Sequence, residues 1–151
     1  MFNALDDEFR FGVDLCADLD NAKCERFLLA DVSLSQSWRG MGVGFLNPPF
    51  ADEIVPWLKK TFEQSEQGAT FVVVVPGRTN PPWWHEYVMK AAELRFVKRK
   101  ASFDEPGGTQ GVPPYGIVIA IFYPFAGREY PKVTSWDYVR DKNARAKWRK
   151  P

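Results

Sequence analysis

Val43-Gly44-Phe45-Leu46-Asn47-Pro48-Pro49-Phe50 is a short apolar run that halts at an amide, two prolines and an aromatic ring. Proline has no N–H and a fixed φ, so Pro48 and Pro49 cannot continue a paired strand. The run must leave its sheet at Asn47 and present a stiff, exposed tip. In open α/β sheets, ligands bind at tips of this kind, beyond the carboxyl ends of strands. An amide, a free backbone carbonyl and a ring held together suit the gripping of a flat molecule that carries an amino group.

Working outward, the pattern alternates strand and helix. Ile54, Trp57, Leu58 and Phe62 recur at helical spacing, so residues 52–67 are expected to form an amphipathic helix, with Gly68 as its stop. Residues 69–75 follow as the clearest strand; its β-branched run predicts burial on both faces, as in the centre of a parallel sheet. Upstream, residues 2–9 are predicted helical, residues 11–16 a buried strand, and residues 27–30 a short strand ending at Asp31. Ser33 to Gly40 is a polar connection anchored by Trp38. Downstream, residues 83–92 are expected to be helical, residues 94–100 an alternating strand with one basic face, and residues 116–123 a last buried strand. Residues 103–114 are a loop rich in glycine and proline. The pattern predicts an α/β fold, a three-layer α/β sandwich. A domain over 1–125 is expected, followed by a basic tail over 126–151.

The chain has 151 residues and is 45 % apolar, enough for one domain with a single core. Aromatic residues make up 15 %, a surplus that suits a site where rings stack. Net charge is only +1, so any nucleic-acid surface must come from local patches. Two cysteines, Cys16 and Cys24, and one histidine argue against a disulfide framework or a zinc site, and no metal is expected. No apolar run approaches the roughly 20 residues needed to span a bilayer, and the acidic N-terminus has the wrong sign for a signal peptide. A cytoplasmic protein without a membrane partner is expected, as a monomer or weak dimer.

The tip has a definite chemistry. The exocyclic amine of adenine is a poor nucleophile, because its lone pair is delocalised into the ring. Two acceptors, the Asn47 side-chain oxygen and the Pro48 carbonyl, can each take one N–H and turn the lone pair toward an electrophile. Pro49 fixes the direction of that carbonyl, and Phe50 offers a stacking face worth about 1–3 kcal/mol. Positioning and electrostatics supply the catalysis. The plain alternative is a turn, which all these residue types favour. Asp14 interrupts an apolar strand and needs a partner; alone, it reads equally well as a cap for the element that follows.

The motifs Phe11-Gly12-Val13-Asp14-Leu15-Cys16-Ala17, Asn21-Ala22-Lys23-Cys24, Trp38-Arg39-Gly40, Leu46-Asn47-Pro48-Pro49-Phe50 and Pro76-Gly77-Arg78-Thr79 occur in this order, with Trp84-His85 after them. In that order and spacing the chain resembles the phage-type DNA adenine-N6 methyltransferases, from about Phe2 to Tyr123. The resemblance implies a Rossmann-like class I methyltransferase sheet, S-adenosylmethionine as methyl donor and DNA as substrate. It implies catalytic roles for Asn47, Pro48, Pro49 and Phe50, the last standing where tyrosine is commoner. Asp14, Cys16 and Ala17 would lie beside the donor, with Asp31 near its ribose or adenine. Family members usually begin with a further segment carrying a Thr-Pro pair, so the sheet is expected to be shortened at its N-terminus.

Arg78, Arg95, Lys98, Arg99 and Lys100 are candidates for phosphate contact, together with the tail, against the plain alternative of solvated faces. Trp83, Trp84 and His85 are expected to be structural. Three rival readings use the same residues: methylation of RNA adenine, methylation of protein glutamine, and an inactive module that binds nucleic acid or protein.

Overall fold

A computed structural model describes residues 1–98, 103–104, 110–111, 114–124 and 130–139. The first helix, α1 (Phe2–Phe9), ends where Arg10 turns left-handed and donates its N–H to the Asp6 carbonyl at 2.9 Å. The Asp6 side chain then accepts the Phe11 N–H at 2.9 Å, which fixes the entry into strand β1 (Phe11–Ala17). The chain continues through β2 (Phe27–Leu29), a one-turn helix α2 (Ala30–Ser33) and β3 (Val43–Leu46). A 3-10 turn at Ala51–Glu53 opens helix α3 (Ile54–Glu66), and β4 (Phe71–Pro76) follows. Next come α4 (Pro82–Glu86), a 3-10 turn (Val88–Lys90) and β5 (Glu93–Val97). A two-residue pair, β6 (Phe103–Asp104) with β7 (Gln110–Gly111), precedes β8 (Ile117–Phe122) and β9 (Lys132–Trp136).

Seven strands form one sheet in the order β2-β1-β3-β4-β8-β5-β9. Every pairing is parallel except those of β8, which runs antiparallel to both β4 and β5. The fold is therefore mixed α/β, a sheet flanked by helices. Alternate residues of the buried strands feed two cores. On one face Leu15, Leu46, Val73, Val75 and Phe122 pack with Trp57 and Leu58 of α3 and Trp84 of α4. On the other, Phe45, Val72, Val74, Ile119 and Ile121 pack with Leu5 of α1. Each such side chain contributes about 1.5–3 kcal/mol when fully buried. Gly44 is required for the close approach of β3: a Cβ there would lie 2.6 Å from Leu15 Cδ1 and 2.7 Å from Phe71 Cδ1.

The expected helix over 2–9 and the strands over 11–16, 69–75 and 116–123 are present, with ends shifted by one or two residues. Trp38 anchors its connection as expected: its Nε1 donates to both the carbonyl and the hydroxyl of Ser33 at 3.1 Å. The Lys60 ammonium donates to the carbonyls of Ser33, Leu34 and Gln36, closing the same turn, and sits 4.5 Å above the Trp38 ring.

Three expectations change. The β4 strand is buried on both faces, but one of its neighbours is antiparallel, because β8 returns alongside it. Residues 83–92 are not one helix: Tyr87, at φ −123°, breaks them into a short α-helix and a 3-10 turn. Within the stretch expected to be a tail, Lys132–Trp136 forms the edge strand of the sheet. Residues 140–151 lie outside the described residues. Among the described residues no helix is long and apolar enough to cross a membrane.

Candidate active site

Strands β1, β2, β3 and β4 run parallel, so Ala17, Leu29, Leu46 and Pro76 all end at one edge of the sheet. Because β8 opposes β4, with Pro76 level with Ile117, its first residues lie at this same edge. Two reversals bring β5 and β9 back into the direction of β4, so Val97 and Trp136 end here too. The topology thus gathers Asp14, Cys16, Ala17, Asp31, Asn47–Phe50, Arg78 and Lys98 along one rim. They come from the five strands β1 to β5, which are consecutive in sequence but not in the sheet, where β8 stands between β4 and β5.

At the centre of the rim stands the tip. Leu46 is the last paired residue of β3, level with Val73. Pro48 is buried, while Asn47, Pro49 and Phe50 are half-buried. Phe50 is extended (φ −85°, ψ −171°), and Ala51 then adopts φ +64° before the helix begins. The Phe50 ring packs against both cores and meets the Tyr115 ring, with centroids 6.1 Å apart and planes tilted by 56°. Tyr115 is held there by its neighbour, since the Gly77 N–H donates to the Gly116 carbonyl at 2.7 Å.

To one side, on the strand next to β3, Asp14 is level with Phe45 and is buried. Its Oδ1 accepts the Cys16 N–H at 3.2 Å and its Oδ2 the Lys23 N–H at 3.0 Å. Burial pushes the Asp14 carboxyl above the usual carboxylate value, and those two N–H groups pull it partly back. The loop after β1 is closed again by Asp18 and Asn21. The Asp18 N–H donates to Asn21 Oδ1 at 2.7 Å, and Asn21 Nδ2 donates to Asp18 Oδ2 at 3.1 Å. Cys16 is half-buried and its thiol is pushed up to about 12, by burial first and then by the charges of Asp14 and Asp18. Ala17 is buried, and Asp31 is exposed in the first turn of α2.

To the other side the rim is basic. Arg78 and Lys98 are exposed, their N–H groups bound to Pro76 O at 2.8 Å and Trp136 O at 3.0 Å. Arg99 and Lys100 lie outside the described residues, as does most of the 103–114 loop. Arg95 is a correction. It is buried on the α1 face, gives both terminal nitrogens to Glu8 at 2.8 Å and its Nε to Glu93 at 2.8 Å, and lies 5.5 Å from the centre of the Phe9 ring. Three of its five N–H groups are engaged by carboxylates and the side chain is buried, so it is not presented to a phosphate. Trp83 and Trp84 are buried as packing residues, and His85 is exposed on α4. Among the described residues no group of His, Cys, Asp and Glu is arranged to hold a metal.

An open cleft of about 420 Å³ lies at the opposite rim, where β3 and β4 begin, lined in part by Arg39, Gln64, Gln67 and Thr70. None of the predicted site residues borders it. Two residues of this rim are not singled out by the sequence. Tyr115 sits in a Pro-Pro-Tyr-Gly run that reads only as a loop end, and a loop says nothing about which ring it will meet. Asp18 looked like one of several polar loop residues; its spacing of three from Asn21 was the available signal.

A family model described as DNA N-6-adenine-methyltransferase (Dam) matches residues 1–144. A DNA N-6-adenine-methyltransferase of Escherichia phage T1 is 25 % identical over 99 residues, which is 65 % of this chain and 41 % of that protein. The chain therefore matches about two fifths of the length of that relative. No solved structure matches the chain.

Proposed function

This chain belongs to the DNA N-6-adenine-methyltransferase (Dam) family, and on that premise we propose that it methylates the exocyclic N6 of adenine in DNA, with S-adenosylmethionine as donor. The observation that carries the reading is the meeting of Asn47–Phe50 with the Asp14–Ala17 segment on adjacent strands at one rim. The helix-flanked sheet, with one antiparallel strand beside a parallel core, supports a three-layer, Rossmann-like class I methyltransferase arrangement. Action on DNA in the cytoplasm of a bacterial host is the setting that suits a phage relative.

The residues present fit a cationic donor. Asp14, Asp18, Asp20 and Asp31 stand at the ends of β1 and β2, where positive charge is favoured; Arg78 and Lys98 stand beyond Asn47, where phosphates are favoured. When bound, the donor supplies a methyl group on a cationic sulfur. Asp14 acts by holding the loop of Cys16 and Lys23 rather than by presenting a free carboxylate, since each of its oxygens accepts a backbone N–H. Asp20 and Asp31, with Asp18 (one of whose oxygens accepts Asn21 Nδ2), are the carboxylates that remain to face the ligand.

A stacked adenine is out of reach, so the base must leave the duplex and enter the tip. There Asn47 Oδ1 and the Pro48 carbonyl accept the two N–H groups of the amine and direct its lone pair to the methyl carbon. With the donor bound, its methyl group would pass to this nitrogen as the bond to sulfur breaks, and the surplus proton on nitrogen would leave to water. Phe50 supplies a face for the base, with Tyr115 beside it. Arg78 and Lys98, with Arg99 and Lys100 after them in the chain, set the register of the strand through its phosphates.

Incubation with radiolabelled donor and unmethylated DNA, followed by nucleoside analysis, tests the reading. Label in the N6-methyl-2′-deoxyadenosine of DNA is expected, and Asn47→Ala should remove it while leaving the fold intact. Label in RNA or in protein glutamine, with none in DNA, would replace the substrate; no transfer and no donor binding would leave a binding module.

A further inference from the structure

Among the described residues two that are not glycine have positive φ, Arg10 and Ala51. Arg10 needs no explanation. It ends a helix, where the left-handed conformation is common, and its N–H closes on Asp6. Ala51 stands at the start of a helical segment, where its carbonyl accepts the Ile54 N–H but the left-handed conformation is not the usual one. Glycine is the usual residue for φ near +64°, because a Cβ crowds the neighbouring carbonyl there. An alanine held in a sparsely populated conformation, directly after the tip, calls for a functional reason.

The sequence around it supplies one. Pro48 and Pro49 fix φ on the near side of Phe50, and Ala51 restricts the far side. A glycine at position 51 would visit both signs of φ and let the Phe50 ring swing; alanine has one narrow left-handed well. Phe50 is thus bracketed by backbone of restricted rotation, and its ring has one seat, between the two cores and against Tyr115. The Asn47 amide and Pro48 carbonyl belong to the same short rigid piece. We propose that Ala51 is a positioning residue, whose left-handed backbone holds Phe50 and the two acceptors in the geometry that receives the target base, against local stability. The proposal rests on the methyltransferase reading and deepens it.

The test compares the full chain with Ala51→Gly and Ala51→Asn; asparagine tolerates the left-handed region while keeping a Cβ. Ala51→Gly should melt at the same temperature or higher, keep its donor KM within twofold, and lose five- to twentyfold in kcat on DNA. Ala51→Asn should restore kcat to within threefold of the parent. A fluorinated phenylalanine at position 50 should give one sharp 19F resonance in the parent and the Asn variant, and a broadened or split one in the Gly variant. Unchanged kcat and a sharp resonance in Ala51→Gly would overturn the proposal, as would stability and activity falling together. A parent that transfers no methyl group would remove the methyltransferase reading; the resonances would then still decide whether Ala51 fixes Phe50.

Discussion

The Asp14 carboxylate accepts the backbone N–H of Lys23, nine residues further on, at 3.0 Å, and so suspends the loop between β1 and β2 from the strand beside the tip. Asp14→Ala leaves that N–H and the one of Cys16 without acceptors, at about 1–3 kcal/mol for each group that stays out of water. Urea denaturation should register a loss of about 2–4 kcal/mol in all, and calorimetry at least a tenfold weaker donor. Parental stability in the variant would mean that Asp18 and Asn21 hold the loop unaided. The pH dependence has a definite sign. The folded pKa of Asp14 is raised, so its contribution is fully present below the ordinary carboxylate value and is lost as pH rises through the folded one. The stability advantage of the parent over Asp14→Asn is therefore larger near pH 4 than near pH 7.

Arg95 and Glu8 make a two-bonded ion pair across 87 positions of sequence, clamping α1 onto β5. Removing one partner of a buried pair costs about 3–5 kcal/mol; Glu8 is 28 % exposed through its side chain, so the lower end of that range applies. Arg95→Met should lower the thermal midpoint by several degrees. Its DNA affinity, measured at a temperature where both proteins are folded, should keep the parental dependence on salt. A flattened salt dependence would place Arg95 on the DNA after all.

Arg95 is buried where the sequence predicts an exposed cation, and the reason is physical. Residues 94–100 alternate and carry four cations, so a basic face was the natural reading. Alternation assigns side chains to faces, but it cannot say which face a distant helix will cover. Glu8 lies on such a helix. The tip, by contrast, was legible because its information is local: two prolines end a strand wherever the sheet lies. Strand β9 was not legible at all. Lys-Val-Thr-Ser-Trp is short and half polar, and it becomes a strand only because β5 offers an open edge to it. Tyr115 belongs with β9, its place fixed by the antiparallel return of β8, which no local signal announces.

Arg78 and Lys98 remain as exposed cations on the rim. If each neutralises one phosphate, Arg78→Ala and Lys98→Ala should each reduce the slope of log K against log salt by about 1, weakening all DNA sequences alike. Fluorescence anisotropy with duplexes of two unrelated sequences, between about 50 and 200 mM salt, measures this. An unchanged slope for either variant would make that side chain a solvated one.

Cys16 lies near the end of β1 and Cys24 in the loop before β2, and both are half-buried near Asp14. Burial and the Asp14 charge raise Cys16 to about 12 and Cys24 to about 11. The thiolate is the reactive form. From an ordinary value of 9.0, Cys16 at pH 8 should carry about a thousandfold less thiolate than an unfolded thiol, and Cys24 about a hundredfold less. Iodoacetamide should therefore label the folded chain slowly at both positions, and quickly in urea. Stability has the matching sign: raised thiols favour the folded state below about pH 9, and that contribution drains away as pH climbs toward the folded values. Urea midpoints should fall between about pH 9 and 11, and fall less in a Cys16→Ala, Cys24→Ala double variant. Rapid labelling of the folded parent at pH 8 would mean that burial does not hold these thiols protonated.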